Sequence, residues 1–162
     1  MKEKEIKTVF YEYNSLTDLP SEEIRLVEKA RQAAKTAYTP YSHFNIGASV
    51  LLATGEIIEG SNQENAAYPS GLCAERVALF YAGSHFPEIP VRTIAITAYA
   101  KNGFLKDPVP PCGSCRQVMT EIESRFNSPI KVILSGRNKI WVIVSAKQLL
   151  PLVFDQTILL RR

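Results

Sequence analysis

The 162-residue chain reads as an α/β protein, with one mixed sheet and helices on both of its faces. Three observations predict this. Segments with helical periodicity alternate with β-type runs in the order α-β-β-α-β-α-β-β-α. One run, "VRTIAITAY", is apolar along its length, as expected of a strand at the centre of a sheet. The composition, 46% hydrophobic and 22% charged, suits a single domain with a substantial core.

The elements follow in order. Residues 1–20 form an extension in which "IKTVFYEY" carries β-forming residues and reads as an extra strand. The domain proper is placed at 21–162. Pro20 and Ser21 open a helix; Ile24, Val27, Ala30, Ala34 and Ala37 recur at helical spacing, and Pro40 stops it. "NIGASVLLATGEIIEG" reads as two strands joined by a tight turn near Thr54-Gly55. "SNQENAAYPSGL" is a polar loop, and a helix follows from about Cys73 to Ala82. After the central strand, "KNGFLKDPVPP" is a loop, and the next helix runs from about Cys112 to Arg125. "IKVIL" and "KIWVIV" are strands around Gly136-Arg137-Asn138. Ser145 is the expected N-cap of a last short helix that ends before Pro151.

Nineteen basic and sixteen acidic residues give a net charge of +3, scattered along the chain. That balance does not make an electrostatic footprint for nucleic acid. No apolar run reaches the ~20 residues of a membrane span, and no apolar leader follows the basic residues at the start. Three cysteines cannot all pair within one chain. Reduced thiols in a chain without a leader point to the cytoplasm.

The cysteines carry the chemistry. Cys112 and Cys115 form a C-x-x-C step in "PPCGSCRQ", directly after two prolines that suit the start of a helix. Both are therefore expected in a first turn, where residues three apart share a face. Cys73 follows "PSG" and also opens a helix. Helix N-termini favour thiolate. Three converging thiolates make three legs of a tetrahedral zinc site. With no fourth cysteine, and with His43 in a turn and His85 in a loop, the fourth position is left to water, as in catalytic zinc. Glu75 stands two residues after Cys73. The two can serve one cavity only if Cys73 is the N-cap, outside the regular helix. Glu75 can then move a proton of the bound water.

"CAE" followed by "PCGSC" resembles the zinc nucleoside and nucleobase deaminases. "AYTPYSHFNIGA", "GSNQENAAYPSGLCAER" and "PPCGSCRQV", in that order, are similar to the small cytidine deaminases over roughly residues 22–155. The resemblance implies a three-layer αβα fold with a central mixed five-stranded sheet. It implies one Zn²⁺ per chain on Cys73, Cys112 and Cys115. Glu75 is the implied proton shuttle in the hydrolysis of cytidine and deoxycytidine to uridine and deoxyuridine with loss of ammonia, a reaction of pyrimidine salvage.

Arg76 matches an arginine that bonds to the ligand thiolates, drawing charge from a site that three thiolates leave net negative. Asn62 and Glu64 match a pair that holds the ribose 3′-hydroxyl. Phe44 matches an aromatic packed on the pyrimidine, and the Ala74 amide points at the base. Phe154 matches a C-terminal aromatic that covers a neighbouring subunit's pocket, and Tyr68 lines the same interface. Taken alone, "NQEN" is a solvated loop, and Phe44 and Phe154 are apolar packing. The resemblance further implies a homotetramer with active sites at subunit interfaces; the first twenty residues are additional to the family's usual length.

Four other readings stay open at this point. A deaminase of polynucleotide bases would share the zinc and the glutamate, but the near-neutral charge and the Asn62/Glu64 pair suit a free nucleoside. Another aminated nucleoside, blasticidin-like, could be the substrate. A purely structural zinc would require a fourth protein ligand. A thioredoxin-like redox pair would leave Cys73 unexplained.

Overall fold

The computed structural model describes residues 1–159. Its elements, in chain order, are β1 (Tyr11–Tyr13), α1 (Ser21–Ala34), β2 (Asn45–Leu52), β3 (Ile57–Ser61), α2 (Ala74–His85), β4 (Val91–Ala100), β5 (Gly103–Phe104), α3 (Gly113–Phe126), β6 (Lys131–Ser135), β7 (Ile140–Ile143) and a one-turn α4 (Gln156–Leu159). Short 3-10 turns lie at Leu16–Asp18, Tyr68–Ser70 and Ala146–Leu149.

The strands form one sheet in the order β1-β7-β6-β4-β2-β3, with β5 attached to β4. Only β4 and β6 pair in parallel; the other pairs are antiparallel, so the sheet is mixed as expected. Side chains alternate between the two faces. Val50, Ile94, Ile96, Val132 and Leu134 face α2 and α3, while Leu51, Ala95 and Ile133 face α1 with its Leu26, Val27 and Ala30. These are the three layers of an αβα fold.

The sheet has seven strands among the described residues, not five. The five expected strands are present. The sixth, β1, is the extra strand expected in "IKTVFYEY", but only Tyr11–Tyr13 pair, on the free edge of β7. The seventh, β5, lies in the segment read as a loop: Gly103, at φ +101°, turns the chain so that Phe104 pairs back onto Tyr99. His85 is the last residue of α2 and not part of a loop. The expected closing helix is a 3-10 turn. Ser145 stands at its N-cap, but its hydroxyl donates to Glu123 and does not cap the turn.

Two glycines set the layer spacing. A Cβ on Gly47 in β2 would lie 2.0 Å from the Ala30 carbonyl oxygen, and one on Gly60 in β3 would lie 2.5 Å from that of Ala74. With no side chain at either position, the backbones of α1 and α2 lie directly on the sheet. Gly60 thereby fixes the height of the helix that begins with Ala74 and Glu75.

Candidate active site

Cys73 and Cys112 are the N-caps of α2 and α3, in matching extended conformations (φ −71°, ψ 150° and φ −67°, ψ 167°). Their carbonyls accept the first helical bonds, from Val77 and Arg116, both at 3.0 Å. The thiols project beyond the helix ends. Cys112 was expected inside a first turn; it lies one position outside, and Cys115 supplies the thiol within the helix. The separation required of Cys73 and Glu75 holds: Cys73 is non-helical, and Glu75 is the second residue of α2.

The Sγ atoms of Cys73, Cys112 and Cys115 lie within 4.8 Å of one another. Cys73–Cys112 is 3.9 Å and Cys112–Cys115 is 3.5 Å. A tetrahedral ion with Zn–S near ~2.3 Å places its sulfurs about 3.8 Å apart. The donor set therefore fits zinc, and no disulfide joins any of the three cysteines. Cys115 is buried, Cys73 half-buried and Cys112 exposed, so the site has a sealed side and an open one.

The Cys73 thiol is brought down to about 5, first by the hydrogen bond from Cys115 and, against partial burial, by Arg76 and Cys112. The same bond to Cys73, with burial, pushes Cys115 up. Without a metal the pair favours one thiolate over two, and a divalent cation held by the sulfurs would favour deprotonation of both. Arg76 Nη2 donates to Cys73 Sγ at 3.7 Å, and its Nε is buried without a hydrogen-bond partner. Its positive charge sits where three thiolates concentrate negative charge.

Glu75 is only 4% exposed. Burial raises its pKa, the helix-start amide opposes that rise, and the nearby Cys73 charge adds to it. A carboxyl whose pKa is raised holds a proton more readily than a solvated glutamate does, which is the direction a proton carrier needs.

At Cys73 opens a cavity of about 550 Å³, lined also by Arg76, Asn62, Glu64, Tyr41, Ser42 and Tyr68; Glu75, Cys112 and Cys115 are not part of its wall. Two strained or bridged segments shape it. The loop after α1 reverses at His43 (φ +53°), and Gln63 bridges Tyr38 on one side and Leu72 on the other. Tyr41 and Tyr68 meet edge to face at 6.1 Å.

The remaining expected residues take four different positions. Asn62 and Glu64 line the cavity, yet both are engaged within the chain. Asn62 Oδ1 accepts from the Ile46 amide at 2.7 Å, and its Nδ2 donates to the Phe44 carbonyl at 3.0 Å. Glu64 accepts from the Tyr41 and Ser42 amides at 3.0 and 3.2 Å and from the Ser42 hydroxyl. Phe44 is joined to the rim through these bonds but is not part of the cavity wall. Ala74 is buried at the start of α2. Phe154 is 56% exposed and lies outside this chain's own cavity, with its carbonyl held by Gln117 Nε2 at 2.7 Å.

Sequence reasoning missed Tyr41 and Ser42. They stand 22 or more residues from Glu64, and nothing local signals the contact.

The family model described as "Cytidine and deoxycytidylate deaminase zinc-binding region" matches residues 20–127. A cytidine deaminase of Halalkalibacterium halodurans is 48% identical over 97 residues, 60% of this chain and 69% of its own length. One from Sporosarcina psychrophila is 36% identical over 132 residues, 82% of this chain and 90% of its own. The crystal structure of cytidine deaminase from Burkholderia pseudomallei superposes with a TM-score of 0.69 at 37% identity, covering 80% of this chain and 97% of that one.

Proposed function

The chain belongs to the cytidine and deoxycytidylate deaminase family, and on that premise we propose that it hydrolyses cytidine and deoxycytidine to uridine and deoxyuridine with release of ammonia. One observation carries the reading: three sulfurs at the spacing of a tetrahedral zinc site, with a buried carboxyl two residues from one of them. Among the described residues the metal-ligating group has these three members, so a zinc ion held by them could also take water, as in catalytic zinc sites.

Zinc on Cys73, Cys112 and Cys115 supplies a water ionisable near neutral pH. Glu75 accepts a proton of the attacking water and delivers it to N3 of the pyrimidine as the oxygen–C4 bond forms. It then carries the second proton to the exocyclic amine, the C4–N bond breaks, and ammonia leaves. Atoms balance as cytidine plus water giving uridine plus ammonia. Arg76 holds the charge of the Cys73 sulfur, which keeps three thiolates compatible with one ion.

Asn62 and Glu64 hold the ribose 3′-hydroxyl from the cavity wall. Their bonds to the 41–46 loop fix the rim and leave lone pairs and a second amide hydrogen for the sugar. Phe44 packs on the base from that rim, and the Ala74 amide faces it from the start of α2. We assign residues 21–162 to the deaminase domain and 1–20 to an added segment. Phe154, exposed here, covers a neighbouring copy's pocket in a homotetramer, and Tyr68, also exposed, lines that interface. No helix among the described residues is long and apolar enough to cross a membrane. The cytoplasm, where thiols stay reduced, suits the free cysteines, and pyrimidine salvage suits the product.

The test is uridine formation from cytidine by the purified chain, with and without a strong zinc chelator. Turnover that the chelator abolishes is the expected result. A zinc-loaded chain that leaves cytidine unchanged overturns the substrate assignment, and a blasticidin-like nucleoside and a cytosine-containing oligonucleotide are then the substrates to assay.

A further inference from the structure

Arg116 takes no part in that reaction, yet it joins the residues just before α3 to a segment 33 residues further along the chain than itself. It follows Cys115 in α3. Its Nε donates to the Pro111 carbonyl at 2.8 Å and its Nη1 to the Leu149 carbonyl at 3.1 Å. Pro111 lies before the N-cap, so helical bonding does not hold it, and the next residue is Cys112. Leu149 ends the 3-10 turn Ala146–Leu149 and packs against the core cluster that contains Cys115 and touches Cys73.

The same turn is fastened from outside. The Thr8 hydroxyl donates to the Gln148 carbonyl at 2.7 Å. The arm that carries Thr8 is itself anchored. Residues 11–13 pair with β7, the Phe10 ring lies 5.1 Å from that of Trp141, and Glu12 accepts from Trp141 Nε1 at 2.8 Å and pairs with Lys139 at 3.3 Å. A continuous series of contacts therefore runs from the arm to the turn, to the guanidinium, and to the residue before a metal ligand.

We infer that Arg116 is a positioning residue for the metal centre and that residues 8–13 brace it through the Ala146–Leu149 turn. The inference rests on the reading of Cys73, Cys112 and Cys115 as zinc ligands. Cys112 is the exposed cysteine of the three, so on this inference its departure is the first step of metal loss. Holding Pro111 holds that backbone. The planar guanidinium bonds two carbonyls at a fixed separation, which a lysine ammonium on a flexible stem does not reproduce.

The experiment measures zinc transfer from the full-length zinc-loaded protein to a colorimetric chelator, together with the absorption spectrum of the cobalt-substituted protein. Arg116→Lys is expected to release zinc about tenfold faster, at the low end for lost outer-shell support, and to shift the cobalt bands. Thr8→Val is expected to release it about threefold faster, on the scale of one hydrogen bond. Adding Thr8→Val to Arg116→Lys should bring no further acceleration, because the brace acts through the guanidinium. Val27→Ala, buried on the opposite face of the sheet, should release zinc at the wild-type rate.

Wild-type release from Arg116→Lys, or equal acceleration by Val27→Ala, overturns the proposal. Thr8→Val alters one exposed bond and decides the matter alone if Arg116→Lys does not fold; an unchanged rate then overturns it. A wild-type chain that binds no zinc overturns the metal reading beneath it, an outcome distinct from the others.

Discussion

Glu75 is a carboxyl that burial makes reluctant to ionise, two residues from the Cys73 thiol, whose pKa is held below its ordinary value. Replacing it by glutamine keeps the volume and the buried position and removes only the capacity to carry a proton. Glu75→Gln is expected to retain its fold and one zinc per chain while kcat for uridine formation falls by about 10²–10⁴ or more; normal turnover in that variant would remove Glu75 from the mechanism.

Glu64 differs because it lies at the surface. The Ser42 hydroxyl first, then the Tyr41 and Ser42 amides, hold its carboxyl below the usual range. Its folded pKa is depressed, so the bonds to the 41–42 loop are fully present above the ordinary glutamate value, ~4.3. They are lost only as pH falls through the lowered one. Protection of the Tyr41 and Ser42 amides from hydrogen exchange should therefore persist through the ordinary glutamate range and fail below it. Failure centred on the ordinary range contradicts the assigned bonds.

At the scale of elements, the site is two helix starts held at one height by the sheet. Gly60 controls that height for α2, because a Cβ there meets the Ala74 carbonyl oxygen at 2.5 Å and the Ala78 amide at 2.7 Å, both backbone atoms that cannot move alone. Gly60→Ala is expected to cost ~1–3 kcal/mol of stability and to displace the residues after Cys73. Chemical denaturation and zinc content measure the two effects. Gly83, in α2 with open space around it, is the control, and Gly83→Ala should leave zinc content unchanged and raise stability, by up to ~1 kcal/mol. The far end of α3 is fixed as firmly. Buried Glu123 accepts from the amides of Ile130 and Ala146 and the hydroxyl of Ser145, joining the helix to β6 and to the turn after β7.

At the scale of the molecule, the cavity is open, with Tyr41 and Tyr68 exposed on its wall at 49% and 76%, and Phe154 is exposed outside it at 56%. Tyr68 and Phe154 belong to the proposed association of copies. Phe154→Ala is expected to leave the fold of the single chain intact, to weaken assembly in sedimentation velocity, and to raise KM for cytidine more than it lowers kcat. An unchanged assembly state and an unchanged KM together would remove Phe154 from any neighbouring pocket.

Much of this was determined by sequence alone. Period and punctuation placed α1, α2, α3 and the five main strands, because local spacing of apolar residues decides which face is buried. The cluster of sulfurs that could hold a metal was legible because Cys73, Cys112 and Cys115 each stand at a helix start that glycine or proline announces nearby. Only the tertiary structure decided the rest. The pairing of Gly103–Phe104 with β4, the shortness of β1, the bonds of Tyr41 and Ser42 to Glu64 and the span of Arg116 from Pro111 to Leu149 all join residues through space. A hydrogen bond across twenty or more residues leaves no periodicity and no turn signature. It exists only once the sheet and helices have brought its two ends together.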